Sequence, residues 1–150
     1  MNIVLYQPEI PPNTGAIARI CAATRSPLHL VAPLGFKIDD KHLKRAGLDY
    51  WEYVEVLLHD SWQDFLARYG GRRLLFFSKK AKHPYTEARF KEDDYLVFGP
   101  ETRGLPQELL DAHQERAYVI PMMEKRVRSL NLANAASIVL YEALRQLGRV

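Results

Sequence analysis

Three loops, each following a strand-like run, hold the side chains in this chain that could do chemistry. The first, Pro8 to Arg19, carries Pro11, Pro12, Asn13, Gly15 and Arg19. Paired prolines stiffen a helix start, and Asn13 is a natural N-cap. Gly15 permits close approach of the backbone. Arg19 sits one turn later on the same face. An arginine early in a helix that follows a strand's carboxyl end can reach a ligand crevice there. Its bidentate fork suits a phosphate. The second loop, Leu96 to Pro106, turns through Gly99 and Pro100, offers the Glu101 carboxylate, and reaches Gly104 before a helix. It exposes backbone groups that could bind a polar heterocycle or a ribose. The third runs from Val119 through Ile120, Pro121 and a basic stretch to Ser129, Leu130 and Asn131. Ser129 reads as the cap of the last helix, with Asn131 in its first turn. Capping explains Ser129 alone, so Asn131 needs another partner, either backbone or ligand. The plainer reading of all three is a capped helix, a tight turn and ordinary surface charges.

Familiar nucleotide signatures fail. Gly99 to Gly104 has P-loop glycine spacing, but Leu105 follows where lysine is required. No GxGxxG follows the first strand, so a standard dinucleotide site has no support. His29, His42, His59, His83 and His113 are scattered and read as surface or structural residues. No metal site is expected, and Cys21, the single cysteine, rules out an intrachain disulfide. It lies in an apolar helical stretch and reads as packing.

The elements that must position these loops alternate. Strands are expected at Asn2–Tyr6, Leu28–Ala32, Tyr53–Leu57, Arg73–Ser78, Tyr95–Phe98 and Ala117–Ile120. Helices are expected at Asn13–Thr24, Asp39–Ala46, Ser61–Tyr69, Gln107–Ala112 and Ser129–Gly148. Several strands are continuous apolar runs, which suits strands covered on both faces. The fold class is therefore α/β with a parallel sheet, in one domain spanning 1–150. Hydrophobic residues are 47% and charged residues 26%, a globular composition able to build its own core. With neither a signal-type start nor a membrane-length apolar run, a cytoplasmic protein is expected.

Net charge is only +3, but the basic residues cluster. Lys41, Lys44 and Arg45 form one group; Arg72, Arg73, Lys79, Lys80 and Lys82 a second; Lys125, Arg126 and Arg128 a third. Such groups are either solvated surface or a footprint for a polyanion. The last helix is apolar around most of its circumference, which calls for burial on several sides and hence for a partner subunit.

Taken in order, LYQPEIPPNTGAIAR (Leu5 to Arg19), KHLKRAGLDYW (Lys41 to Trp51), FGPETRGLP (Phe98 to Pro106) and the segment from Ile120 to Ala135 resemble the SPOUT superfamily of methyltransferases. The likeness is strongest to its minimal-length TrmL-type (YibK-like) tRNA 2′-O-methyltransferases, and it covers nearly the whole chain. The resemblance implies a parallel-sheet SPOUT fold with a deep C-terminal trefoil knot, against the general rule that chains do not thread loops. It implies S-adenosyl-L-methionine (AdoMet) as cofactor, with S-adenosyl-L-homocysteine as product. The substrate would be a tRNA anticodon stem-loop, methylated on the ribose of the wobble pyrimidine, and the enzyme a homodimer joined through the C-terminal helix. The cofactor positions would be Phe77 or Ser78, Gly99, Gly104, Ile120, Ser129 and Leu130. Arg19 matches the catalytic arginine and Asn13 its neighbour, with Glu101, Ser129 and Asn131 in support. Arginine stays protonated and is a poor general base, so Arg19 is expected to orient a phosphate or a developing oxyanion. Lys41, Lys44, Arg45, Lys79 and Lys80 are expected to contact RNA, and Lys125 or Arg126 are further candidates. A related methyltransferase acting on another tRNA position or rRNA, or a non-catalytic RNA-binding module, are the alternatives.

Overall fold

The computed structural model describes residues 1–39 and 50–150. Within them one seven-stranded sheet, all parallel, has the order β3-β2-β1-β6-β4-β7-β5. The strands are β1 (Asn2–Tyr6), β2 (Leu28–Val31), β3 (Val56–His59), β4 (Leu74–Phe77), β5 (His83–Pro84), β6 (Tyr95–Phe98) and β7 (Ala117–Val119). The helices are α1 (Pro11–Thr24), α2 (Trp62–Tyr69), α3 (Gln107–Ala112) and α4 (Leu132–Gln146).

Strands β2, β4 and β6 are buried at every residue, as continuous apolar runs between two helical layers must be. Period-two alternation sorts their side chains between the layers. Ile3, Leu5, Leu28, Leu30, Leu75, Phe77, Leu96 and Phe98 meet α1 and α4 through Ile17, Cys21, Val139, Leu140 and Ala143. On the other face Val4, Leu74, Phe76, Tyr95 and Val97 meet Phe65 of α2 and Leu110 of α3. Cys21 is fully buried, and burial pushes its thiol up to about 12, so it packs and does not react. Asp94, 1% exposed, ties the amino ends of β4 and β6 together by accepting from Arg73 (2.6 Å) and from the Lys91 N–H (2.7 Å).

Several boundaries differ from expectation. Strand β3 is shifted to Val56–His59 because Trp51–Tyr53 forms a 3₁₀ turn, and β5 was not expected. Helix α1 starts at Pro11, with Ile10 and not Asn13 at the N-cap. Helix α4 starts at Leu132, capped by Asn131 and not Ser129. It stops with Gly148 at φ +67°. The Gly148 and Arg149 N–H groups donate to the Arg145 and Leu144 carbonyls in a Schellman closure. The helix expected at Asp39–Ala46, with Lys41, Lys44 and Arg45, lies outside the described residues beyond Asp39. No described helix is long and apolar enough to cross a membrane.

Under α2 lies a layer not foreseen from sequence. His29 and His59, 1% and 2% exposed, stack at 5.2 Å with Nδ1 to Nε2 at 3.0 Å, walled by Phe65, Tyr69 and Tyr95. Burial, aided by His59, pushes His29 down to about 4; burial also lowers His59. Unfolded imidazoles titrate near 6.5, so between pH 6.5 and 4 the unfolded chain binds more protons. Stability is full above pH 6.5 and falls with pH through that window, by on the order of 3 kcal/mol for His29. Urea midpoints at pH 7.5 and 5.0 should differ accordingly, and a His29→Phe/His59→Phe double variant should flatten the difference.

Candidate active site

In an open parallel sheet, ligands bind beyond the carboxyl ends of the strands, where the strand order changes direction. Here that point lies at β1 and β6, and the loops leaving β1, β4, β6 and β7 converge there. They enclose a cavity of about 680 Å³, a size suited to a cofactor. Phe77, Phe98, Ile120, Leu130 and Leu132 give it apolar walls. Ser78, Gly99, Gly104 and Ser129 line it as well, so every expected cofactor position reaches one cavity.

The loop after β6 is folded tightly on itself. A Cβ on Gly99 would lie 2.3 Å from the Leu105 nitrogen and 2.4 Å from the Gly104 carbonyl carbon. Gly104 has φ +68° and donates its N–H to the Pro100 carbonyl (2.9 Å). Buried Leu105 pins the far end of the loop in the second core. The result is a rim of backbone along one side of the cavity.

Glu101, Asn13 and Asn131 form a single hydrogen-bonded chain across three loops. The Asn131 Oδ1 accepts from the Ala133 and Asn134 N–H groups (2.8 and 3.3 Å), capping α4. That fixes its amide, so Nδ2 donates to Asn13 Oδ1 (2.9 Å), and Asn13 Nδ2 in turn donates to Glu101 Oε1 (3.3 Å). Glu101 also accepts from the Glu9 and Ile10 N–H groups (2.8 and 3.0 Å). A carboxylate at the amino end of α1 complements the helix dipole, at a site where Ile10 offers no side-chain cap. With three donors on its two oxygens, Glu101 is suited to holding α1 against the cavity and poorly placed to take a proton. The Ser129 hydroxyl makes no hydrogen bond among the described residues and is free for a ligand.

Arg19 is the exception. It does not line the cavity; its guanidinium lies over the Tyr50 ring, 4.6 Å from the centroid, and the side chain is exposed. Asn13 lines the cavity from the first turn of α1, whereas Arg19, six positions on and on a different side of the helix, does not. The same chain therefore does not bring Arg19 to the cofactor residues.

Lys79 and Lys80 line the cavity as well. Arg126 does not: Glu124 pairs with it at 2.8 Å, leaving Arg128 as the cavity residue of the third basic cluster. Sequence reasoning missed Thr102 and Arg103. Thr102 donates to the Glu9 carboxylate (2.8 Å) and Arg103 to Gln7 Oε1 (3.1 Å), bonding the loops after β6 and β1 together. None of the four described histidines lines the cavity.

A family model described as the SpoU rRNA Methylase family matches residues 1–141. A tRNA (cytidine(34)-2'-O)-methyltransferase of Methylovorus glucosotrophus (strain SIP3-4) is 53% identical over 146 residues, 97% of this chain and 94% of that protein. The protein of the same name from Escherichia coli (strain K12) is 50% identical over 149 residues, 99% of this chain and 94% of its own length. A solved structure described as giving insight into the 2-OH methylation of C/U34 on tRNA matches with TM-score 0.91 at 53% identity. That match covers 98% of this chain and 95% of the other. An AdoMet-bound rRNA methyltransferase from Sinorhizobium meliloti matches with TM-score 0.84 at 26% identity, over 97% of this chain and 56% of that one.

Proposed function

This chain belongs to the SpoU rRNA Methylase family, and from that premise we propose that it methylates the ribose 2′-hydroxyl of the wobble pyrimidine, nucleotide 34, in tRNA. The observation that carries the reading is the convergence of the four β-strand loops on one cavity, in a chain about half identical to nucleotide-34 methyltransferases over nearly its full length. The cavity residues fit AdoMet: an apolar slot between Phe77, Phe98, Ile120 and Leu130 for a purine, and the backbone rim from Gly99 to Gly104 for its polar edge. AdoMet supplies an electrophilic methyl group on a sulfonium and leaves as S-adenosyl-L-homocysteine.

The protein's own part is positioning and charge. The Glu101–Asn13–Asn131 chain locks the cofactor loop to the start of α1, and Ser129 offers a hydroxyl at the mouth. Arg19 orients the substrate phosphate and stabilises negative charge developing on the ribose oxygen. The hydroxyl proton leaves to the neighbouring phosphate or to solvent, since the carboxylate lining the cavity is already engaged. Because Arg19 does not line its own cavity and stacks on Tyr50 instead, it serves the cavity of a second copy.

A homodimer through α4 supplies that copy. Ala133, Ala136, Val139, Leu140, Ala143 and Leu144 face the protein's own core, whereas Ile138 and Tyr141 are 36% and 45% exposed on the opposite face. Exposed apolar side chains in register on a helix suit a self-complementary two-fold contact. A knotted C-terminal path, action as a single domain and a cytoplasmic location belong to the same proposal. Mass-spectrometric mapping of tRNA from cells with and without the protein tests the reading. Loss of 2′-O-methylation at nucleotide 34 is expected; an unchanged nucleotide 34 with loss at another RNA position would sink it.

A further inference from the structure

The described surface cations are either paired with a carboxylate or left without one, and those lining the cavity are all of the second kind. Arg68, Arg73, Arg126, Arg145 and Arg149 each pair with a carboxylate. Among the described residues Lys79, Lys80, Arg103 and Arg128, which line the cavity from three separate loops, have no carboxylate partner. AdoMet carries a sulfonium and an ammonium against one carboxylate, so a ring of four free cations is electrostatically wrong for it and right for a polyanion.

Arg103 is also held in place without being neutralised. Its Nη2 donates to the side-chain oxygen of Gln7 (3.1 Å), a neutral acceptor that fixes direction and leaves the charge intact. Gln7 adopts φ +50° although it is not glycine and precedes Pro8, two conditions that disfavour this backbone. Its N–H bond to the Val31 carbonyl (2.9 Å) keeps it there. Strain of this kind is retained where the surroundings over-determine it, and it collects at functional sites.

Resting on the proposed RNA-methyltransferase function, we propose that Arg103, oriented by Gln7, and Arg128 bind the RNA backbone phosphates flanking the target ribose. They thereby seat its 2′-hydroxyl at the cavity. The carboxylate of AdoMet is the other anion that could meet these groups, and the test separates the two.

Fluorescence anisotropy with full-length tRNA over a series of salt concentrations is paired with calorimetric titration of AdoMet, on the full chain. Arg103→Ala and Arg128→Ala should each weaken tRNA binding by roughly tenfold and lower the log–log salt slope by about one. AdoMet affinity should stay within about twofold of the parent. Gln7→Ala should weaken tRNA binding, and Gln7→Ala/Arg103→Ala should be no worse than Arg103→Ala alone, because Gln7 acts through Arg103. Weakened AdoMet binding with an unchanged tRNA isotherm would overturn the proposal in favour of the cofactor carboxylate; two unchanged isotherms would reduce the rim to solvated surface. Normal tRNA binding by both arginine variants, alongside methylation of nucleotide 34 by the parent, removes this inference only. A parent that binds tRNA through these arginines yet leaves nucleotide 34 unmethylated removes the functional reading only.

Discussion

Arg19→Ala should lower kcat/KM for RNA methylation by about 10²- to 10⁴-fold while AdoMet still binds, because it removes charge stabilisation needed only as the hydroxyl loses its proton. The side chain is exposed and stacks on Tyr50, and nothing in the core depends on it, so the fold should be unharmed. Arg19→Lys keeps the charge and loses the fork, so partial activity would assign the effect to charge and full loss to bidentate geometry. A second arm uses the position of Arg19 outside its own cavity. Mixing Arg19→Ala protomers with protomers disabled at Ser129 should restore about a quarter of parental activity. Half the dimers would then be mixed, each with one complete site. No recovery on mixing would place Arg19 and Ser129 in the same protomer's site, and the proposed exchange would be wrong.

Sequence reading worked where local pattern and tertiary structure agree. Strands β1 and β6 and helix α3 were legible to the residue: the strands are continuous apolar runs buried on both faces, and α3 follows a proline that stops anything before it. At the sheet edge the pattern loses its hold. Around β3 the stretch from Tyr53 to Leu58, apolar except for Glu55, fits more than one register, and pairing with β2 selects Val56–His59 while Leu58 stays 54% exposed. The two helix caps failed for a related reason. Asn13 and Ser129 each satisfy the local rule, but the start of α1 is bound by Glu101, 88 positions from Asn13, and Asn131 bonds to Asn13 from 118 positions away. Sequence spacing carries no trace of such partners. The basic loop shows the same limit at short range, where Glu124 neutralises Arg126 and leaves Arg128 for the cavity. Apart from Arg19, the motif residues from the first, second and third loops that were expected to hold cofactor or assist catalysis meet at one cavity; which of them hold one another, and which face a ligand, depends on the strand order.

Gly99→Ala should be the most damaging single change to cofactor binding, although it adds one methyl group. The new Cβ would fall 2.3 Å from the Leu105 nitrogen and 2.4 Å from the Gly104 carbonyl carbon, far inside contact distance. Both obstacles are backbone, so no rotamer change relieves the clash. Leu105 cannot retreat, because its side chain is 1% exposed in the core beneath α3. Gly104, at φ +68° and bonded to the Pro100 carbonyl, closes the turn from the other side. The loop must therefore open, moving Glu101 away from the Glu9 and Ile10 N–H groups and loosening the start of α1. Overpacking of this kind costs about 1–3 kcal/mol in stability. AdoMet affinity should fall further, by roughly 100-fold, since the rim that would contact it is the segment displaced. A thermal melt and a calorimetric titration on the same sample separate the two losses. A melting temperature lowered with unchanged AdoMet affinity would mean that the cofactor lies elsewhere in the cavity, against the walls of Phe77 and Leu130 and not along the Gly99–Gly104 rim.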